Sequence, residues 1–203
     1  MGLVRRQAAG DTQEVDPGTL QDRLADPDAE QRRRAALDLD GHAEAVPALL
    51  ARVPAETDLA VRDAVLTTLA AIDHADVAAG LVPHLSSDDA ALRIAVAGAL
   101  ATMPASVPAL LPALLADPDH DVRIMTAMVL ADLPHPGTAD WLAEIVATDQ
   151  HANVVAAAID ALLPMAGPQH AAVLRSARER FPKDPFLHFT IDAALPALAE
   201  VET

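Results

Sequence analysis

The sequence predicts an all-α, right-handed solenoid of about six helical hairpins. Three observations carry this. One residue slot recurs at Arg32, Arg62, Arg93, Arg123, Val155 and His188, with spacings of 30, 31, 30, 32 and 33 residues. A fixed period of that size marks a stacked array. Around the slots, the residues at offsets −1, +3, +4 and +7 are mostly apolar, one stripe at the ~3.6-residue period of a helix. Composition agrees: 52% of the 203 residues are hydrophobic and only 2% aromatic. The apolar half is mostly Ala, Leu and Val, which suits closely packed helices.

Each element follows from a local reason. Four residues before the slots stand Asp28, Asp58, Asp89, Asp119, His151 and Asp184. Asp there is a good N-cap, because its carboxylate accepts from free backbone N–H groups. The second helix of each unit starts at that cap. Seven residues past the slots come Leu39, Leu69, Leu100, Leu130, Leu162 and Leu195, facing the core. A first helix precedes each cap, seeded by Val46–Leu50, Leu81–Leu85, Val107–Leu111, Trp141–Val146 and Ala171–Leu174. Pro17, Pro47 and Pro108 each lie 15 residues before a slot, in a first turn, where a missing N–H costs little. The array is expected to occupy residues 17–198 as one domain, between a flexible arm over 1–16 and a tail over 199–203.

The segment Asp117-Pro-Asp-His-Asp-Val-Arg123, followed by Ala127 and Leu130, resembles the HEAT repeat, and more narrowly its short bacterial form named after phycobilisome lyases. Ala45–Leu50 and Ser106–Leu111 are similar to that form's first helix. The resemblance implies that an acid six residues before the slot joins the slot arginine in a polar ladder between units. That position reads Asp26, Glu56, Ser87, Asp117, Asp149 and Pro182. The ladder set is therefore Arg32, Arg62, Arg93 and Arg123 with Asp26, Glu56 and Asp117. Units 1, 2 and 4 hold both members, unit 3 only the arginine, unit 5 only the acid and unit 6 neither. The ladder and regular stacking are expected to weaken toward the C-terminus.

Charge narrows the partners. The chain holds 30 acidic and 14 basic residues, a net charge of −16. Free nucleic acid is excluded as an expectation, since a phosphate backbone calls for a basic face. No apolar stretch reaches the ~20 residues of a membrane span, and no signal peptide is visible, so a cytoplasmic protein is expected. From Val53 to Leu174 there are 15 acidic residues and three basic ones, Arg62, Arg93 and Arg123, all in the slot and expected to be partly buried against turn carboxylates. Positive charge returns only toward the ends: Arg5, Arg6, Arg23, Arg32–Arg34 and Arg52, then Arg175, Arg178, Arg180 and Lys183.

If offsets −1, +3, +4 and +7 face the core, +1, +2 and +5 line the concave wall that the second helices of a superhelix form. In units 3 and 4 these are Ile94, Ala95, Gly98, Ile124, Met125 and Met128; Asp63, Thr67 and Asp160 flank them, with Arg33 at the near end. An apolar strip with Met suits adaptable contact with a partner helix. The competing reading is a helical phase off by one residue, with the strip as ordinary core.

Catalytic and metal chemistry is not expected. There is no cysteine. The His-Glu-x-x-His spacing is absent, His42-Ala-Glu44 lacks the cysteines of a zinc deaminase, and His120-Asp121 is an isolated pair in a repeat turn. His120 and His151 occupy successive turns and are expected to be near each other; His74 and His135 are expected ~20 Å apart, at roughly 10 Å per helix layer. No serine lies in a nucleophile elbow, and no phosphate-binding loop occurs. No cofactor is implied. Trp141, Phe181, Phe186 and Phe189 gather late in the chain, as a plug closing the solenoid or as a docking site.

Together these point to a non-catalytic scaffold that binds a protein or peptide with basic flanks on an acidic concave surface, its oligomeric state open. The alternative is an accessory factor of a cofactor, chromophore or peptide-modification pathway, as the resemblance to bilin-lyase-type proteins implies. A third is a designed or degenerate array without a native partner.

Overall fold

The computed structural model describes residues 17–199. The expectations for the arm over 1–16, with Arg5 and Arg6, and for residues 200–203 of the tail lie outside them. The described residues form twelve α-helices joined by turns and short 3₁₀ segments, with no strand among them. They pair into six hairpins: α1 (Pro17–Arg23) with α2 (Ala29–Asp38), α3 (Val46–Ala55) with α4 (Leu59–Ile72), α5 (Ala75–Leu81) with α6 (Ala90–Ala101), α7 (Leu111–Leu115) with α8 (His120–Asp132), α9 (Thr138–Thr148) with α10 (Ala152–Leu162), and α11 (Ala171–Arg180) with α12 (Pro185–Ala199).

The caps work as a repeated device. Asp28, Asp58, Asp89 and Asp119 take extended backbone and accept from N–H groups two or three residues on, at 2.9–3.2 Å. Asp184 does the same for Phe186 and Leu187. His151, the one non-Asp at this position, makes no side-chain cap bond to α10. Each cap satisfies donors that the first helical turn leaves without partners.

The second helices stack in order, α2 on α4, α4 on α6, α6 on α8 and α8 on α10. Their shared stripe is the core. The +3 residues Ala35, Val65, Val96, Thr126, Ala158 and Ile191 are fully buried, and Leu39, Leu69, Leu100, Leu130 and Leu162 nearly so. Thr68 ties two units directly, its hydroxyl donating to the Ala36 carbonyl at 2.8 Å.

Three elements depart from regularity. In unit 3, α5 gives way after Leu81 to a 3₁₀ turn, Val82–Ser86, which carries Pro83 and takes up most of the segment expected to seed that helix. The first helix of unit 4 is split into a 3₁₀ turn, Val107–Ala109, and the five-residue α7, a segment that carries Pro108 and Pro112. Prolines there remove N–H donors from the turn. At the C-terminus, two 3₁₀ turns, Leu163–Met165 and Pro168–His170, lengthen the connection. There α12 packs chiefly on α11, and units 5 and 6 meet through α9 and α11.

Candidate functional site

The sequence places its binding candidates on the outward face of the second helices, and the structure divides them. Asp63, Thr67 and Gly98 come together. They line a cleft of about 590 Å³ between α4 and α6, whose floor is Leu66, Ala70, Ala95 and Ala99. A side chain on Gly98 would meet nothing within 4 Å, so this part of the cleft is open. Ile94 and Met128 stand out from the face at 59% and 42% exposure. Asp160 is exposed on α10, and Ile124 is half-buried.

Met125 corrects the expectation. It is 7% exposed and belongs to the core. The +2 position of α8 turns toward the flanking helices, and α8 is packed by both α6 and α10. The surface strip is therefore interrupted at Met125.

The slot arginines have a consistent geometry that runs from one unit to the next. Each donates to the backbone carbonyl six residues upstream: Arg32 to Asp26 at 2.8 Å, Arg62 to Glu56 at 2.6 Å, Arg93 to Ser87 at 2.5 Å and Arg123 to Asp117 at 2.8 Å. The carboxylate partner comes from the next unit. Arg32 pairs with Glu56 through two bonds of 2.9 and 3.0 Å. Arg123 pairs with Asp149 through bonds of 2.6 and 3.2 Å. The acid in turn accepts the N–H two residues on, as Glu56 does from Asp58 and Asp149 from His151.

This geometry relocates several residues. The carboxylates of Asp26 and Asp117 accept the N–H of Asp28 and Asp119, and within the described residues neither pairs with an arginine side chain. In unit 3, where Ser87 replaces the acid, Arg62 reaches the cap residue Asp89 at 3.3 Å. Arg93 makes no ion pair among the described residues. Unit 5 lacks a slot arginine, but its Asp149 is engaged by Arg123. The vacant rung is filled from α11, a role sequence reasoning missed. Arg180 donates to the carbonyls of Val146 at 2.7 Å and Asp149 at 3.1 Å, and also to Ala147. Its position has no counterpart in the period, so no sequence signal marks it.

Burial alone would raise the Glu56 carboxyl. Hydrogen bonds from Arg32, the Asp58 N–H and Arg52 outweigh that and hold it at about 2. Asp149 is likewise lowered, burial being overcome by Arg123 and the His151 N–H.

The histidines take structural places. His120 and His151 stack with ring centroids 4.0 Å apart. Asp119, His120 and Asp121 bring one potential ligand atom each within 4.8 Å of one another. Asp119 is already spent on the α8 cap, and the positive end of a helix disfavours a cation. His74 caps α5, and His135 stacks on Trp141. The aromatic plug does not form as drawn: Phe186 and Phe189 are 58% and 75% exposed, while α12 buries Leu187, Ile191, Ala194 and Leu198.

No curated protein matches the chain. A solved structure of an engineered protein is similar at 21% identity, over 91% of this chain and 97% of that one, with a TM-score of 0.40. The family model for HEAT repeats matches residues 18–101 and 107–184. With the hairpin array, the Asp caps and the arginine rungs in place, the chain belongs to the HEAT-repeat family.

Proposed function

We propose that the protein is a non-catalytic scaffold that holds a basic peptide or helix of a partner protein on the acidic face of its second helices, the concave wall of the array. HEAT repeats are in general protein-interaction scaffolds. The observation that carries the finer reading is the commitment of the slot arginines. Arg62, Arg93 and Arg123 are the only basic residues from Val53 to Leu174, and all three turn inward to carbonyls or carboxylates. The solvent side of the middle repeats is left negative, with Asp63 beside the α4–α6 cleft and Ile94 and Met128 as apolar contacts. A one-signed field of this kind steers a partner of opposite charge. Among the described residues, no helix is long and apolar enough to cross a membrane. A cytoplasmic setting and a partner other than nucleic acid are part of this proposal.

The test uses a labelled amphipathic peptide with a Leu stripe and Lys at both ends. Anisotropy is followed from 50 to 500 mM salt, for the native chain and for Asp63→Lys/Asp160→Lys. Binding that weakens steeply with salt and is lost in the variant supports the reading. Binding indifferent to both overturns it.

A further inference from the structure

The first-helix side carries a cleft that the second-helix reading does not use. It lies between α7 and α9 and has a volume of about 440 Å³, within the range of ligand sites. Its existence follows from unit 4. A five-residue α7 preceded by a 3₁₀ turn leaves space against the eleven-residue α9.

The walls are apolar, from Leu111, Pro112, Leu115 and Ile145, with Trp141 and Glu144 added from α9. Trp141 is held in place. His135 stacks on its ring with centroids 4.6 Å apart, and a side chain on Gly137 would come within 3.0 Å of it. The loop itself is pinned, since His135 Nδ1 accepts the Gly137 N–H at 3.0 Å.

The charges in the cleft have one sign left over. Arg123 and Asp149 both border it but neutralise each other through their two-bond pair. Thr148 donates its hydroxyl to the Glu144 carbonyl. The Glu144 carboxylate makes no ion pair among the described residues. An indole and an exposed, unpaired carboxylate lining one cleft with aliphatic side chains match a planar cation on an aliphatic stem. Guanidinium stacks on aromatic faces and forms two-bond contacts with carboxylates, whereas an ammonium is a strongly hydrated point charge.

We propose that this cleft receives an arginine side chain from a partner protein. The guanidinium rests against Trp141 and Glu144, and the stem runs along Leu111, Leu115 and Ile145. The proposal rests on the scaffold reading for the class of partner, but its site is on the other side of the array.

Trp141 is the only tryptophan and there is no tyrosine, so intrinsic fluorescence reports on this cleft alone. The probes are a hexa-arginine peptide, its hexa-citrulline counterpart and a hexa-lysine peptide, at 0.15 M salt. A saturable change in Trp141 emission is expected with arginine and none with citrulline. Glu144→Gln is expected to weaken that response about tenfold, the effect of losing one charge-assisted contact. Asp63→Asn should leave it unchanged. An equal response to lysine overturns the guanidinium assignment. Binding of labelled hexa-arginine by anisotropy, with Trp141 emission unchanged and Glu144→Gln without effect, overturns the cleft and leaves the scaffold reading standing. Absence of any binding overturns the cleft, while the scaffold reading stands or falls on the Leu-striped peptide.

Discussion

Arg123 and Asp149 are 26 residues apart in sequence and joined by two hydrogen bonds of 2.6 and 3.2 Å, one from each side of the boundary between units 4 and 5. Both side chains are mostly buried, at 17% and 8% exposure. Removing one member of such a pair strands the other. Asp149→Ala is expected to cost about 2–4 kcal/mol. Arg93, which holds a carbonyl and no carboxylate, should cost only about 1 kcal/mol as Arg93→Ala. Urea melts of the two variants check the order; equal losses would show that the ion pair adds nothing to the rung.

Glu56 links stability to pH. Its folded value of about 2 lies below the ordinary 4.5. A lowered folded value contributes stability that is complete above the unfolded value and is lost as pH falls through the folded one. The contribution at neutral pH is on the order of 3 kcal/mol. Glu56→Gln should therefore be less stable at pH 7, with the gap to the native chain closing between pH 4.5 and 2. Thermal melts across that range measure it. A constant gap would place the effect in packing rather than ionisation.

Arg180 clamps the last unit to the one before it by binding carbonyls at the end of α9. Arg180→Ala should release amide protection in α9 and α11 and leave α2 and α4 unchanged, as nearest-neighbour coupling in a repeat array requires. Hydrogen exchange resolved by segment checks this. A uniform loss along the chain would contradict a local clamp.

Four apolar residues that look alike in sequence should respond differently to a polar substitution. Met125→Glu buries a charge and is expected to cost more than 3 kcal/mol, or to prevent folding. Met128→Glu should be tolerated within about 1 kcal/mol. Phe186→Ser and Phe189→Ser remove exposed rings and should leave Tm almost unchanged. A large loss at either phenylalanine would restore the idea of a closing plug.

The repeat, the hairpins and the caps were legible because each rests on a local rule. A 30-residue period, an Asp ahead of an apolar stripe, and a Leu seven residues past the slot are all short-range patterns. The proximity of His120 and His151 followed from their places in successive turns. Where sequence reasoning misplaced a residue, the deciding contact was between units. A ladder between units follows from the family pattern, but the period alone does not say that each acid serves the arginine of the preceding repeat, which leaves Asp26 and Asp117 on backbone N–H groups. The guanidinium takes the local carbonyl instead, and its remaining donors point to the neighbouring acid.

Local sequence patterns specify a stack of helical hairpins, the start of each second helix and an excess of negative charge in the middle repeats. Packing between repeats sets which carboxylate meets which arginine, turns Met125 inward but not Met128, brings Arg180 to the place of the arginine missing at Val155, and opens a cleft between a shortened α7 and Trp141. The two differ in the range of the interactions involved. Helix periodicity and capping are set within about one turn of the chain, whereas burial and ion pairing depend on what a neighbouring repeat brings to the same place.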